Sequence, residues 1–163
     1  MELEITSLNS GSNGNCYYIG NSNDAILIDV GISCREVERR MRALSLPIEK
    51  LKAIFISHEH SDHIRGVPVL SKKYNLPVYV TPATRKKGRI YFKHEAFYSF
   101  AEKLPVNIGH LTVTAFKKFH DAADPYSFTI EYRGIKVGVF TDIGKCCDNL
   151  IMHFKHCHAA FLE

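Results

Sequence analysis

Apolar and polar positions alternate through Glu2–Leu8, with Leu3, Ile5 and Leu8 on one face, which predicts an edge or half-buried strand. Cys16–Ile19 and Ala25–Val30 read as the next strands. Ser33-Cys34-Arg35-Glu36 then has the form of a capping box, the serine capping and the glutamate reaching back. Val37, Met41 and Leu44 follow at helical spacing until Pro47 ends the helix. Leu51–Ser57 is an apolar, β-branched run that predicts a buried central strand. A short helix is expected through Val67–Lys73 with Val69 and Leu70 inward, then a strand at Val78–Val80 and a second short helix opening at Thr81-Pro82. Leu111–Phe116 alternates as a strand, and Ser127–Tyr132 and Ile135–Thr141 form a hairpin about Arg133-Gly134. Cys147–His156 reads as a helix and Ala159–Leu162 as the start of another strand.

The bulk numbers narrow this picture only a little. The 163 residues suit one domain with a real core, 1–163, and 45% apolar and 23% charged content are those of an ordinary globule. A formal charge of +4 is compatible with a polyanionic substrate without arguing for one. No apolar run approaches membrane-spanning length, and the first residues lack a signal-peptide layout. Five scattered cysteines without CxxC spacing suggest thiols in a reducing cytoplasm.

Chemistry gathers where strands end. The run Ile56-Ser57 leads into His58-Glu59-His60-Ser61-Asp62-His63, three histidines and two carboxylates besides the serine. In extended chain, side chains two apart point the same way, so His58 and His60 can face one ion, while Asp62 and His63 swing out beside them. Imidazole suits zinc and its neighbours, and a carboxylate can hold or bridge a second ion. The strand Leu111–Phe116 delivers His120 to a turn in the same way, and Ile135–Thr141 delivers Asp142. Each alone is weak; beside the first cluster each gains weight. Asp29, at a strand end beside Gly31, reads as a structural acid that holds nearby loops by hydrogen bonds.

Three stretches keep two readings. The turn formers Asn9–Asn15 are either a plain hairpin turn or a loop lining the site. Arg85, Lys86, Lys87, Arg89 and Lys93, with Tyr91, Phe92, Phe97, Tyr98 and Phe100 around them, are either a solvated face over core aromatics or a patch that contacts phosphate and stacks bases. Cys146, Cys147, His153, His156, Cys157 and His158 could form a second zinc site, but their spacing is less regular than a structural zinc site needs.

His58-x-His60-x-Asp62-His63, with His120 and Asp142 downstream, resembles the metallo-β-lactamase superfamily. Ser10-Gly11-Ser12-x-Gly14-Asn15, Leu27-Ile28-Asp29-x-Gly31, His120-Asp121-Ala122 and Thr141-Asp142-Ile143-Gly144 are similar to its cytoplasmic YycJ/WalJ-like branch. The resemblance implies an α/β fold, an αββα sandwich with metals at the edge of two facing sheets. It also implies that His58, His60 and His120 hold a first metal, that Asp62 and His63 hold a second, and that Asp142 bridges both. Glu59, Ser61 and Asp121 match the motifs without being expected as ligands.

The family's further histidine and second αβ half have no counterpart here, so the chain is expected to carry an incomplete second half. An uncovered sheet face of that kind favours a homo-oligomer. The expected cofactors are two divalent metal ions, zinc first, with manganese or iron as alternatives. Such a pair lowers the pKa of water and clamps both oxygens of an in-line displacement, with Asp62 or Asp142 orienting the hydroxide. The expected activity is hydrolysis of a phosphodiester in nucleic acid. The rivals are a lactam or thioester hydrolase with the same metal centre and a non-catalytic metal-binding fragment.

Overall fold

A computed structural model describes residues 2–91 and 96–163 and shows two facing sheets with helices on their outer sides. Lys93 and Phe92, part of the expected basic and aromatic patch, lie outside the described residues. In the first sheet, β1 (Glu4–Asn9), β2 (Cys16–Gly20) and β3 (Ala25–Ile28) form an antiparallel meander. Helix α1 (Cys34–Ala43) then crosses over to β4 (Leu51–Phe55), which pairs parallel to β3. After α2 (Ser61–Ile64) and α3 (Val67–Tyr74) come β5 (Val78–Tyr79), α4 (Pro82–Lys87) and β6 (Phe97–Tyr98). These strands extend the sheet in parallel to the order β1-β2-β3-β4-β5-β6. The second sheet comprises β7 (Val106–Ile108), β8 (Leu111–Lys117), β9 (Tyr126–Tyr132), β10 (Ile135–Phe140) and, after α5 (Asp148–Lys155), β11 (Ala159–Leu162). Its order is β11-β10-β9-β8-β7, antiparallel except for the β10–β11 pair.

The two-residue period of the strands sorts side chains between layers. Tyr17, Ile19, Ile26, Ile28, Ala53 and Phe55 point inward and meet Val113, Ala115, Phe128, Ile130, Val137 and Val139 of the second sheet. The alternate residues Cys16, Tyr18, Leu27, Ile54 and Ile56 point outward and are capped by Val37 and Met41 of α1 and by Val67 and Leu70 of α3. On the far face of the second sheet, Phe116 and Phe140 meet Leu150 of α5. The layers run helix, sheet, sheet, helix, and among the described residues the last is α5 alone.

Most expected elements stand, with corrected details. The central strand stops at Phe55, because Ile56 and Ser57 already belong to the loop that carries the histidines. Ser33 caps α1 by accepting the Glu36 amide at 3.2 Å. The glutamate does not reach back; it pairs with Arg39 and Arg40 at 2.9 and 3.2 Å. Val69 was expected inward but is exposed, and Val67 and Leu70 carry the packing of α3. Leu44 lies past the end of α1 and is half exposed. Among the described residues, no helix is long and apolar enough to cross a membrane.

Candidate metal centre

The parallel strands set the site, because a parallel sheet releases all its chains at one edge. After β4 the chain gives Ser57 and His58, both buried, then His60, and α2 turns His63 back into the interior. From the facing sheet, the loop after β8 brings His120 and the loop after β10 brings Asp142. His58, His60 and His120 form one group whose ligand-type atoms lie within 4.8 Å of one another, and His58, His63 and Asp142 form another. His58 Nε2 and His120 Nε2 each stand 3.2 Å from His60 Nδ1. Asp62 belongs to neither group but flanks the second, its Oδ2 3.5 Å from His63 Nε2. All six residues singled out in the sequence therefore meet at one place.

Hydrogen bonds assign the histidine tautomers. Asp29 is fully buried; its Oδ1 accepts the Ser57 amide at 2.7 Å and its Oδ2 the Ser57 hydroxyl at 2.6 Å. With its proton committed to Asp29, Ser57 Oγ accepts from His58 Nδ1 at 2.9 Å. Asp29 Oδ2 also accepts from His63 Nδ1 at 2.7 Å. Both histidines are thus held with Nδ1 protonated and the Nε2 lone pair turned into the site. His63 Nε2 then faces Asp142 Oδ2 at 2.9 Å, and that oxygen is shut from solvent without a hydrogen bond of acceptable geometry. Lone pairs that face one another across about 3 Å need a proton or a cation between them, and an imidazole and carboxylate donor set is one that zinc, manganese or iron accepts. The residues present therefore fit divalent ions.

The electrostatics follow from the same contacts. Burial pushes His58 down to about 2, helped by neighbouring His63 and Lys118. Burial works against a charge on His63 too, but the Asp29 and Asp142 carboxylates override it and raise its pKa to about 9. The His63 contact holds Asp142 well below the usual carboxylate range. In the metal-free chain a proton on His63 fills the gap that an ion would fill.

Three supporting residues carry roles that the sequence did not assign. Asn15, buried at the end of the turn run, directs Nδ2 at His63 Nε2 (3.1 Å) and Asp62 Oδ2 (3.3 Å), which favours the loop-lining reading of Asn9–Asn15. Ser57 relays Asp29 to His58. Lys118 is buried, donates Nζ to the Thr141 carbonyl at 2.6 Å, and ties the loop of His120 to that of Asp142. A serine before the histidine run and glycines beside Asn15 were signals; nothing in a sequence marks one lysine as buried. Glu59 stays outside both groups, its Oε1 accepting the Ala123 amide at 2.9 Å. The C-terminal cysteines and histidines come together in no group of three that could hold a metal among the described residues; His153 instead stacks on Phe116 at 4.0 Å.

Two sheets whose facing loops gather histidines and an aspartate define a class. The family model of the metallo-beta-lactamase superfamily matches residues 10–158, and the chain belongs to that family. Exodeoxyribonuclease YycJ of Bacillus anthracis is 32% identical over 168 residues, covering 100% of this chain and 63% of the relative. Exodeoxyribonuclease WalJ of Streptococcus pneumoniae is 29% identical over 155 residues, 91% of this chain and 57% of the relative. The chain thus spans about three-fifths of the length of these relatives. The crystal structure of the metallo-beta-lactamase fold protein YhfI from Bacillus subtilis superposes with a TM-score of 0.69 at 21% identity, over 85% of this chain and 62% of that one.

Proposed function

We propose that the chain carries the core of a metal-dependent phosphodiesterase that acts on nucleic acid. The observation that carries this reading is the inward pair of Nε2 atoms on His58 and His63, facing Asp142 and held by one buried acid, Asp29. His58, His60 and His120 are proposed to hold one divalent ion and His63, Asp62 and Asp142 a second, with zinc first and manganese or iron as alternatives. His58 also lies against the second group, so it is the residue both positions depend on. When bound, such ions supply deprotonated water at neutral pH and offset charge on phosphoryl oxygens.

The protein's own part is positional. Asp29 and Ser57 fix the tautomers, Lys118 couples the two delivering loops, and Asp142 and Asp62 orient the attacking water. The names of the two relatives direct the substrate reading toward DNA. Five cysteines, none in a disulfide, suit a cytoplasmic setting. Self-association is proposed from the exposed apolar side chains Ile151, Met152, Phe154 and Leu162 of α5 and β11, with a second copy as the occupant; a monomer by light scattering refutes it.

The test of function is cleavage of single- and double-stranded DNA and of RNA by zinc- or manganese-loaded protein, beside His58→Ala. Cleavage abolished in the variant is expected. Absence of cleavage, or cleavage that His58→Ala leaves unchanged, overturns the reading. Turnover of a chromogenic lactam or a glutathione thioester in its place would reassign the chemistry.

A further inference from the structure

The edge of the first sheet that carries His58 holds a second hollow. β4, β5 and β6 are parallel neighbours with Phe55, Tyr79 and Tyr98 in one register, so all three strands end on the side where His58 begins. Adjacent strands lie about 4.8 Å apart, which puts the end of β6 about 10 Å from the end of β4. The hollow has a volume of about 460 Å³, and Pro82, Arg85, Lys86, Tyr91, Phe97 and Tyr98 supply most of its lining. Helix α4 separates it from the metal centre. Thr84 and Gly88, one turn apart, face the centre's loops: Thr84 Oγ1 donates to the Asp124 carbonyl at 3.3 Å, and Gly88 packs against Glu59 and Ile64. Arg85 and Lys86 face the hollow.

Its walls combine two chemistries. Tyr98 stacks on Tyr79 at 5.3 Å and 24°, and Tyr79 stacks on Phe55 at 4.5 Å and 8°. A column of rings thus runs along the inward face of the sheet to its edge, where the outer member, Tyr98, is 52% exposed and borders the hollow from the face opposite Phe97. Tyr91, 63% exposed, adds a further aromatic surface. Rings that only packed the core would be covered, as Phe55 and Phe100 are. The Arg85 guanidinium lies 3.7 Å from the Phe97 ring centre, and its Nε donates to the Ile90 carbonyl at 3.4 Å. Its charge is therefore held at the wall of the hollow, with Lys86 beside it, and among the described residues no carboxylate lines the space.

Exposed aromatic faces beside fixed cations suit a planar ring joined to an anion. Base stacking on tyrosine is sequence-tolerant, and guanidinium recognises phosphate. We propose that this hollow is a nucleotide subsite, in which a base stacks on Tyr98 and an adjoining phosphate meets Arg85 and Lys86 while the strand continues to the metal centre. The inference deepens the nucleic-acid reading above and rests on it. It specifies a single-stranded polynucleotide as ligand, because a paired base has no face free to stack on a protein ring.

The test is fluorescence anisotropy of a labelled oligodeoxythymidylate with the full 163-residue chain, in EDTA so that nothing is cleaved. Wild-type binding is expected to weaken with salt, and Arg85→Ala/Tyr98→Ala to weaken it by about tenfold or more. Tyr98→Phe, which keeps the ring, should stay within about twofold, as should Lys155→Ala, an equal charge loss on α5. In parallel, bis(p-nitrophenyl) phosphate, too small to span both places, should be hydrolysed equally by manganese-loaded wild type and double variant. Absence of oligonucleotide binding by the wild type, or unchanged binding by the double variant, overturns the subsite. If the small diester is cleaved in those cases, the hydrolase reading stands without it. Binding that the double variant loses, in a protein that cleaves no phosphodiester, supports the subsite and refutes the nuclease.

Discussion

Two strand ends, one in each sheet, share a local sequence and a backbone shape but not a fate. β3 runs into Asp29-Val30-Gly31 and β10 into Thr141-Asp142-Ile143-Gly144, and both aspartates adopt left-handed backbone, with φ of 59° and 49°. Asp and Asn tolerate that region better than most residues. In both, the glycine two residues on lies against a neighbouring loop. A Cβ on Gly31 would overlap the Asp62 carbonyl oxygen, and one on Gly144 would come within 2.6 Å of the Phe119 carbonyl oxygen. The difference is what meets the carboxylate. Asp29 receives the Ser57 amide and hydroxyl and His63 Nδ1–H, so every donor it needs is present. Asp142 keeps an enclosed oxygen that faces histidine nitrogens. A satisfied buried carboxylate holds structure, whereas the enclosed oxygen of Asp142 meets a proton on His63 in the metal-free chain and is proposed to meet an ion in its place.

Exchange of charge at the two positions should separate these roles. Asp142→Asn is expected to reduce phosphodiester hydrolysis by about three orders of magnitude and, because it removes one partner of the protonated His63, to destabilise the metal-free chain, though by less than Asp29→Asn does. Asp29→Asn should cost the metal-free chain more, since three donors converge on that acid. It leaves Ser57 and His63 with a weaker acceptor and costs about 2–4 kcal/mol by denaturant unfolding, along with about 10–100-fold in zinc affinity. If Asp29→Asn were neutral for stability, the contrast would fail.

A pH series probes the histidines that the two acids share. His63 has its folded pKa raised to about 9 from 6.5, so its stabilising contribution is full below 6.5 and disappears as pH rises through 9. His58 is pushed down to about 2, so the unfolded chain binds the extra proton between 2 and 6.5, and stability falls as pH falls through that window. The two limbs meet near 6.5, and each is worth on the order of a few kcal/mol. Thermal melts of chelator-treated protein should show the loss above 6.5, and His63→Gln should flatten it. A limb of equal steepness in that variant would contradict the assignment.

The glycines give a smaller contrast. Gly31→Ala is expected to destabilise by about 3 kcal/mol or more, because backbone must move, and Gly144→Ala by about 1–2 kcal/mol. Equal unfolding midpoints for the two would argue that the loops are not packed as described.

What the sequence made legible was what repeats along the chain. Alternation located the long strands, and the ends of those strands located His58, His120 and Asp142. Very short strands leave no period to read: Phe97-Tyr98 and Val106–Ile108 went unassigned, and Val78–Tyr79 was legible only from its neighbouring turn residues and β-type side chains. Val69 was misplaced because hydropathy alone does not choose between neighbouring helix positions, and Gly66 and Pro68 set where the helix starts. In the site, the residues that the fold gathers into the two donor groups were readable from type and spacing. Asp29 was readable as structural, but which groups it holds was not, since Ser57 and His63 reach it across 28 and 34 residues. Lys118 was invisible for a similar reason: only the fold brings the Thr141 carbonyl to its ammonium.

The central claim is that two overlapping donor groups around His58 hold two ions. The most direct measurement is elemental analysis of zinc-loaded, desalted protein, wild type beside His58→Ala and Asp142→Asn. The account predicts about two equivalents in the wild type, well under one in His58→Ala, which weakens both groups, and close to one in Asp142→Asn, which leaves the all-histidine group whole. Wild-type protein that retains no zinc, or retains as much after His58→Ala, would contradict it.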